Sequence, residues 1–207
     1  MFYVYTPSLV YIAPVYVNND ISIFWKALIE NGVEKNGRHW TLRAGVPWIG
    51  KVDTFYNREC YDMLSERIKE KKLALIVGTP GIGKTMFLQR LLVDIVESVQ
   101  PGGTVPIIDY VTAKDCTVQR FRLLPNGSVI FGNSDNVDYE LSDSVDIPHP
   151  CGTTLTIEVA SDNECNYKLY DKRITESVNG TTIMMPLCTL QELMAMKSYI
   201  SIGEGQF

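Results

Sequence analysis

One segment, residues 73–99, constrains the fold of this chain more than any other. It begins with an uninterrupted apolar run, Leu73–Val77, which has the length of a strand buried on both faces of a sheet. Eight residues follow in the pattern G-x-x-x-x-G-K-[ST], from Gly78 to Thr85. Apolar residues then recur at helical spacing from Met86 to Val99, where a Pro-Gly-Gly sequence stops the pattern. A strand, a glycine-rich turn and a helix in this order predict an α/β fold with a parallel sheet.

The glycine-rich turn has the chemistry of a phosphate-binding loop. Its glycines let the backbone wrap around a phosphate with N–H groups pointing inward, and the next helix N-terminus adds partial positive charge. Lys84 is placed to reach the β and γ phosphates of a nucleotide, and the Thr85 hydroxyl is placed to ligate Mg²⁺. The predicted nucleotide-binding residues are Gly78, Thr79, Pro80, Gly81, Ile82, Gly83, Lys84, Thr85 and Met86.

Nucleotide hydrolysis would also require a carboxylate at the end of a neighbouring strand, where it can hold the metal ion. The run Val105–Asp109 is an apolar strand candidate that ends in an aspartate, but it directly follows the first helix. The run Tyr139–Asp143 comes later and is less apolar. Strand hydrophobicity favours Asp109, whereas spacing alone leaves both aspartates open.

The remainder of the chain is predicted to form two further segments around this core. Residues 1–20 are a poorly patterned lead-in, residues 21–72 form a helical and irregular segment that packs on the core, and residues 73–207 form the core itself. Periodicity and turn residues predict helices over 21–31, 58–72 and 190–200, a turn-rich loop over 32–37, short strands within 38–56 and a strand over 153–160.

An antiparallel β-hairpin is predicted near residues 110–132. The runs Val118–Leu124 and Val129–Phe131 flank the sequence Pro-Asn-Gly-Ser at 125–128. An Asn-Gly pair between two such runs predicts a tight primed turn.

Composition excludes several classes of function. The net charge of −5 indicates no basic surface of the kind that binds nucleic acid. The chain also contains no run of 18 apolar residues, the length that would be needed to span a membrane. The N-terminus lacks an early Lys or Arg and therefore makes a poor signal peptide. Five cysteines without a CxxC pair predict neither a zinc site nor a disulfide framework. We therefore expect an intracellular protein without a membrane segment.

The phosphate loop and its flanks resemble one family. Residues 77–85 are very like the phosphate loop of the P-loop ATPase domain shared by retrotransposon hot spot proteins and Crinkler effectors. Other segments resemble parts of that domain in the same order and extend the resemblance over roughly residues 22–195. They are Phe24-Trp25, Arg58–Tyr61, Phe121–Val129, Tyr139–Asp143, Ala160-Ser161 with 166–172, and Met185–Leu193.

The resemblance implies a P-loop NTPase fold, with a parallel sheet flanked by helices and an inserted antiparallel β-hairpin. It also implies that ATP and Mg²⁺ are the cofactors. Asp143, rather than Asp109, becomes the metal-side carboxylate, so that Lys84 and Asp143 are the catalytic residues and Thr85 and Asp143 bind Mg²⁺. The chain departs from the family at Ser144, where a glycine is usual, and no glutamate follows Asp143. It ends soon after the last matching segment, as a truncated copy without a C-terminal lid or effector domain would.

Three functions follow from these observations. The first is an ATPase module that uses MgATP to switch a conformation or an assembly. The second is a catalytically silent module that binds nucleotide and a protein partner, which the missing glutamate favours. The third is a small-molecule kinase, against which the scarcity of arginine after the hairpin argues. The resemblance also implies a nuclear location, or secretion and delivery into a host cell if the protein acts as Crinklers do.

Overall fold

A computed structural model of the chain describes residues 20–50, 52–114, 117–132, 137–145, 155–161, 168–177 and 179–197. The helices are α1 (Asp20–Asn31), α2 (Glu59–Ile68), α3 (Lys84–Glu97), α4 (Lys168–Glu176) and α5 (Leu190–Lys197). The strands are β1 (Val33–Asn36), β2 (His39–Leu42), β3 (Phe55–Tyr56), β4 (Leu73–Gly78), β5 (Ile108–Lys114), β6 (Thr117–Leu123), β7 (Val129–Phe131), β8 (Tyr139–Asp143), β9 (Leu155–Ser161) and β10 (Gly180–Met184).

Seven of these strands form one sheet in the order β10-β4-β9-β8-β5-β6-β7. The first five are parallel to one another, and β6 and β7 continue the sheet in antiparallel pairing. The predicted α/β class, with a mostly parallel sheet flanked by helices and an antiparallel hairpin, is therefore confirmed. The strand β9 separates β4, which leads into the glycine-rich turn, from β8, which ends at Asp143.

Strand β4 is buried on both faces of the sheet. Ala74 and Ile76 lie in the main core cluster, to which α1, α2 and α3 also contribute. The alternate residues of the strand form a second cluster with Ala160 and with Ile174 of α4, and these are Leu73, Leu75 and Val77. Because neither face of the strand meets water, its sequence is apolar throughout instead of alternating.

The segment before β4 packs onto the main core through aromatic side chains. Strands β1, β2 and β3 form a small antiparallel sheet. The ring of Trp48 stacks on that of Phe55, with centroids 4.8 Å apart, and its centroid lies 5.5 Å from that of Phe24. Tyr61 of α2 continues this stack to Phe87 of α3. The stack joins the segment to the helix that follows the glycine-rich turn.

The prediction of a loop over residues 32–37 was wrong. Val33–Asn36 forms strand β1, which pairs with β2 in a hairpin whose turn contains Gly37 at φ 58°. Val33 is buried against the core, which favours strand over loop although the neighbouring residues are polar. Gly37 therefore lies at the tip of a hairpin, whereas Gly32 directly follows the end of α1.

The bounds of the strand predicted to end at Asp109 were also wrong. Strand β5 begins at Ile108, so Asp109 is its second residue and not its last. β5 is hydrogen-bonded on both sides, to β6 and to β8. Pro106 has no N–H to donate, and an interior strand does not accommodate such a residue. The strand therefore begins only after the proline.

The hairpin between β6 and β7 is confirmed, but the type of its turn was predicted wrongly. A primed turn of type I′ needs positive φ at both central residues. Here Gly127 has φ 81°, whereas Asn126 does not have a positive φ. The Gly127 N–H donates to the Leu124 carbonyl at 3.0 Å, and the Leu124 N–H donates to the Ser128 carbonyl at 2.9 Å. This is the geometry of a three-residue loop with a glycine bulge.

Other elements agree with the sequence patterns or were missed by them. Within the predicted strand 153–160 and the predicted helix 190–200, residues 153–154 and 198–200 lie outside the described part of the chain, as do residues 1–19. The patterns did not predict α4 or the edge strand β10, in which Ile183 is the one buried residue. In the described residues, no helix combines the length and the apolar character needed to cross a membrane.

Candidate functional site

The glycine-rich turn joins the carboxyl end of β4 to the first turn of α3. Gly83 caps α3 in a left-handed conformation, at φ 95°, and no side chain caps the N–H groups of that helix end. A side chain at Gly83 would also collide with the Tyr61 hydroxyl. The turn therefore has a conformation that requires glycine, and it leaves the first N–H groups of a 14-residue helix available to an anion.

Two side chains at the start of α2 donate hydrogen bonds to carbonyls of the glycine-rich turn. The Tyr61 hydroxyl donates to the Gly83 carbonyl at 2.8 Å, and the Arg58 guanidinium donates to the Ile82 carbonyl at 2.6 Å. Both side chains belong to the start of one helix, and both are almost fully buried. These two bonds fix the direction in which the two carbonyls point. Because the C=O and N–H of a peptide unit point in opposite directions, the bonds also fix the direction of the N–H groups that follow these carbonyls in the turn.

Lys84 is buried, with 8% of its surface exposed, although it carries a charge. Its ammonium donates to the carbonyls of Gly78 at 2.6 Å and Thr79 at 2.9 Å. The lysine therefore lies folded along the turn, with its charge at the carboxyl end of β4. A cation in this position attracts the charge of an anion held by the N–H groups of the turn.

Thr85 and Asp143 meet although 58 residues separate them. The Thr85 hydroxyl donates to a carboxylate oxygen of Asp143 at 3.2 Å. Thr85 lies in the first turn of α3, and Asp143 is the last residue of β8, so both lie at the carboxyl edge of the parallel sheet. Ligands of open α/β sheets bind at this edge.

The electrostatic surroundings of Asp143 are those of a group whose charge is only partly compensated. Burial raises the pKa of the Asp143 carboxyl above its usual value. Hydrogen bonds from Thr85, Ser144 and Tyr110 and the charge of Lys84 act in the opposite direction without cancelling the effect of burial. Burial and the nearby Asp143 also raise the pKa of Tyr110 well above its usual value. A bound cation would compensate the charge that the protein leaves at this carboxylate.

A cavity of about 410 Å³ opens beside these groups, and we call it the phosphate cavity. It is lined by Pro80, Gly81, Gly83, Lys84, Thr85, Ser144 and Ser161. Ser161 ends β9, so three adjacent strands bring residues to the same opening. None of the described lining residues is a carboxylate.

Asp109 lies toward the opposite edge of the sheet. Asp143 is in register with Thr112 of β5, three residues beyond Asp109, which corresponds to roughly 10 Å along the strand. The Asp109 carboxylate is 1% exposed and accepts hydrogen bonds from Arg122 at 2.9 and 3.2 Å and from Arg120 at 3.3 Å. The aspartate that follows this apolar run thus belongs to a buried ion pair away from the glycine-rich turn.

The sequence patterns missed the ion pair that supports the loop. Arg58 forms hydrogen bonds with both carboxylate oxygens of Glu192 at 3.3 Å, and it also donates to the Pro186 carbonyl at 3.0 Å. Glu192 in turn accepts from the Thr189 N–H at 2.9 Å, and the Thr189 hydroxyl accepts from the Glu192 N–H at 3.1 Å. This is a capping box, and the spacing Thr-x-x-Glu before the apolar helix could have identified it. No pattern in the sequence indicated that Glu192 would pair with Arg58, which lies 134 residues earlier in the chain.

Ser144 has a left-handed backbone, with φ 57°, directly after the aspartate. We expect Ser144→Gly to be more stable than Ser144→Ala by about 1 kcal/mol, because a Cβ in this conformation is unfavourable. Both variants lose the same hydroxyl, so the comparison isolates the backbone. Urea denaturation of the two variants measures the difference. The order seen at ordinary positions, with alanine the more stable, would show that the strain is absent.

Comparison of the chain with protein-family models, curated proteins and solved structures found no match. The resemblance of residues 22–195 to Crinkler and retrotransposon hot spot proteins therefore stays a prediction. Among the described residues, no group of three or more His, Cys, Asp or Glu side chains is arranged to hold a metal ion.

Proposed function

We propose that the chain binds a nucleoside triphosphate, namely ATP, together with Mg²⁺ at the phosphate cavity. The observation that carries this proposal is the hydrogen bond between the Thr85 hydroxyl and the Asp143 carboxylate. The sequence motif predicts that the Thr85 hydroxyl ligates the metal ion. The fold places the carboxylate of Asp143, from strand β8, within hydrogen-bonding distance of that hydroxyl. Such a pair is what a Mg²⁺ ion bound next to a triphosphate requires from a protein.

The residues of the loop fit the phosphates of such a ligand. The N–H groups at the start of α3, which no side chain caps, and the buried ammonium of Lys84 place positive charge at the cavity. The bonds to the Gly78 and Thr79 carbonyls hold the Lys84 ammonium at the mouth of the turn. In the proposed complex, the ammonium would exchange these bonds for bonds to phosphate oxygens. Its charge would then offset that of the β and γ phosphates.

The residues also fit Mg²⁺, although they are few. Mg²⁺ prefers oxygen ligands and keeps several waters, so one or two protein oxygens complete a site shared with phosphates. Thr85 and Asp143 supply these oxygens in the proposed complex. When bound, the ion neutralises negative charge on the phosphates and on Asp143.

The strand order is consistent with a P-loop NTPase, and we propose that class. A P-loop fold normally has another strand between the phosphate-loop strand and the strand of the metal-side aspartate. Here β9 lies between β4 and β8. In this proposal Lys84 and Asp143 act on the triphosphate, and Gly78, Thr79, Pro80, Gly81, Ile82, Gly83, Lys84, Thr85 and Met86 form the nucleotide-binding segment.

A second candidate is a module that binds nucleotide and a protein partner without turnover. The observation in its favour is that none of the described residues lining the phosphate cavity is a carboxylate. Apart from Lys84 and Thr85, the described side chains with a polar group in this lining are those of Ser144 and Ser161, and a serine hydroxyl is too weak a base to activate water unaided. Slow or absent hydrolysis is therefore expected even where binding is firm.

The metal role of Thr85 is tested by Thr85→Ala. We expect this variant to lose roughly tenfold in ATP affinity in the presence of Mg²⁺ and much less in EDTA, since the hydroxyl acts through the metal. Calorimetric titration in both buffers measures the two losses. Thr175→Ala is a control, because that hydroxyl donates to a carbonyl within α4. Equal losses in the two buffers would reduce Thr85 to a helix-start residue.

The choice of carboxylate is tested by comparing Asp143→Asn with Asp109→Asn. The change at Asp143 keeps shape and acceptor oxygen but removes charge, so we expect ATP binding within a few fold and loss of Mg²⁺-dependent hydrolysis. The change at Asp109 should lower stability, because it weakens the ion pairs with Arg122 and Arg120, but should leave hydrolysis intact. Release of labelled γ-phosphate measures both. The opposite pattern would move the metal site to Asp109, and absence of turnover in the wild type would select the second candidate.

A further inference from the structure

A second cavity, of about 450 Å³, adjoins the phosphate cavity, and we call it the apolar cavity. Gly81 and Gly83 line both cavities, so the backbone of the glycine-rich turn is their common wall. In the described part of the chain, its other walls come from His39 of β2, from residues 52–54 and Tyr56, from the starts of α2 and α3, and from Cys188 and α5. Its volume lies within the range of sites for small organic ligands.

Apolar and aromatic side chains supply most of the lining of this cavity. They are Val52, Tyr56, Tyr61, Ile82, Met86, Leu193 and Met196. Val52 and Leu193 are 42% and 51% exposed, although both are large and apolar. Two methionines face the same space, and thioether sulfur makes favourable contacts with aromatic rings. The lining therefore suits a flat aromatic ligand that would cover surface now in contact with water.

We propose that the apolar cavity binds the purine base of the nucleotide whose phosphates occupy the phosphate cavity. This inference rests on the proposed function and adds the part of the site that recognises the base. Met86 directly follows Thr85 in α3 and lines the apolar cavity, so a ligand held at Thr85 has this cavity next to it. Asp53 and Thr54 lie at the lining and offer hydrogen-bonding groups to the edge of the base.

The wall formed by α5 is tied to the phosphate loop through Arg58. Its guanidinium binds Glu192 of α5 on one side and the Ile82 carbonyl of the loop on the other. Leu193, which lines the cavity, directly follows Glu192. One buried arginine therefore positions both the loop that would hold the phosphates and the helix that would cover the base.

The experiment compares two matched double variants of α5. The test variant is Leu193→Gln with Met196→Gln, which makes the cavity wall polar without adding charge. The control is Leu190→Gln with Met194→Gln, which makes the same changes at residues that are 73% and 66% exposed and do not line the cavity. Each protein is titrated with ATP and with inorganic tripolyphosphate in Mg²⁺, because tripolyphosphate has the phosphates without the base.

We expect the wild type to bind ATP more tightly than tripolyphosphate. The test variant should lose roughly tenfold in ATP affinity while its tripolyphosphate affinity stays within about twofold, and the control should match the wild type for both ligands. An unchanged ATP affinity in the test variant, or equal losses for both ligands, would place the base outside this cavity. If the wild type bound neither ligand, the proposed function itself would be wrong, and the base site with it.

Discussion

Lys84→Ala is expected to lower the affinity for MgATP by roughly 10–100-fold, because it removes the one lysine that lines the described phosphate cavity. A hydrogen bond to a charged group contributes about 1.5–3 kcal/mol, and the lysine is placed to make such bonds with two phosphates. Calorimetric titration of wild type and variant measures the loss. Lys69→Ala is the control, since Lys69 is an exposed residue after α2 that pairs with Glu66.

The fold is expected to survive this change. The ammonium of Lys84 donates to the carbonyls of Gly78 and Thr79, and strand β4, which ends at Gly78, is held in place by pairing with a neighbouring strand on each side. A thermal denaturation curve of the variant without nucleotide checks that point. Wild-type affinity in a folded Lys84→Ala variant would mean that the turn does not hold phosphates.

Arg58→Ala is expected to destabilise the protein by about 3–5 kcal/mol, the usual cost of leaving one partner of a buried ion pair alone. Arg58 and Glu192 side chains are 3% and 8% exposed. The change also removes the donors to the Ile82 and Pro186 carbonyls. Urea denaturation measures the loss, and Glu192→Gln, which keeps an acceptor for the guanidinium, should cost less.

A second arginine–carboxylate pair provides a matched control for Arg58. Arg38 binds Asp62 at 2.7 Å, a shorter distance than the 3.3 Å between Arg58 and Glu192, but its side chain is 38% exposed. Because water screens exposed pairs, Arg38→Ala should cost no more than about 1 kcal/mol. Similar losses for Arg38→Ala and Arg58→Ala would show that burial does not decide the strength of these pairs.

The part of the fold that the sequence predicts best is the part that local patterns determine. The strand at 73–77 and the helix that follows it have their periodicity and their stop signals within a few residues, and both were confirmed. The hairpin around Gly127 was predicted for the same reason. Its turn type was not, because Asn126 is compatible with both signs of φ and the choice depends on the register of the strands.

The features that sequence patterns missed depend on contacts between distant residues. Strand hydrophobicity favoured Asp109 over Asp143 as the metal-side carboxylate. Hydrophobicity contains no information on the hydrogen bonds that Arg120 and Arg122 of β6 form with Asp109. Only the order of the strands brings Asp143 to Thr85. The pair of Arg58 with Glu192 likewise joins two segments that show no common pattern.

The central claim is that the carboxyl edge of this sheet binds a nucleoside triphosphate with Mg²⁺. A calorimetric titration of the wild-type chain with ATP, in Mg²⁺ and again in EDTA, tests it most directly. We expect one saturable site, with a dissociation constant on the order of 1 μM to 1 mM, and a loss of roughly tenfold or more in affinity when the metal is removed. Absence of saturable binding, or binding that is the same in both buffers and in Lys84→Ala, would contradict the claim.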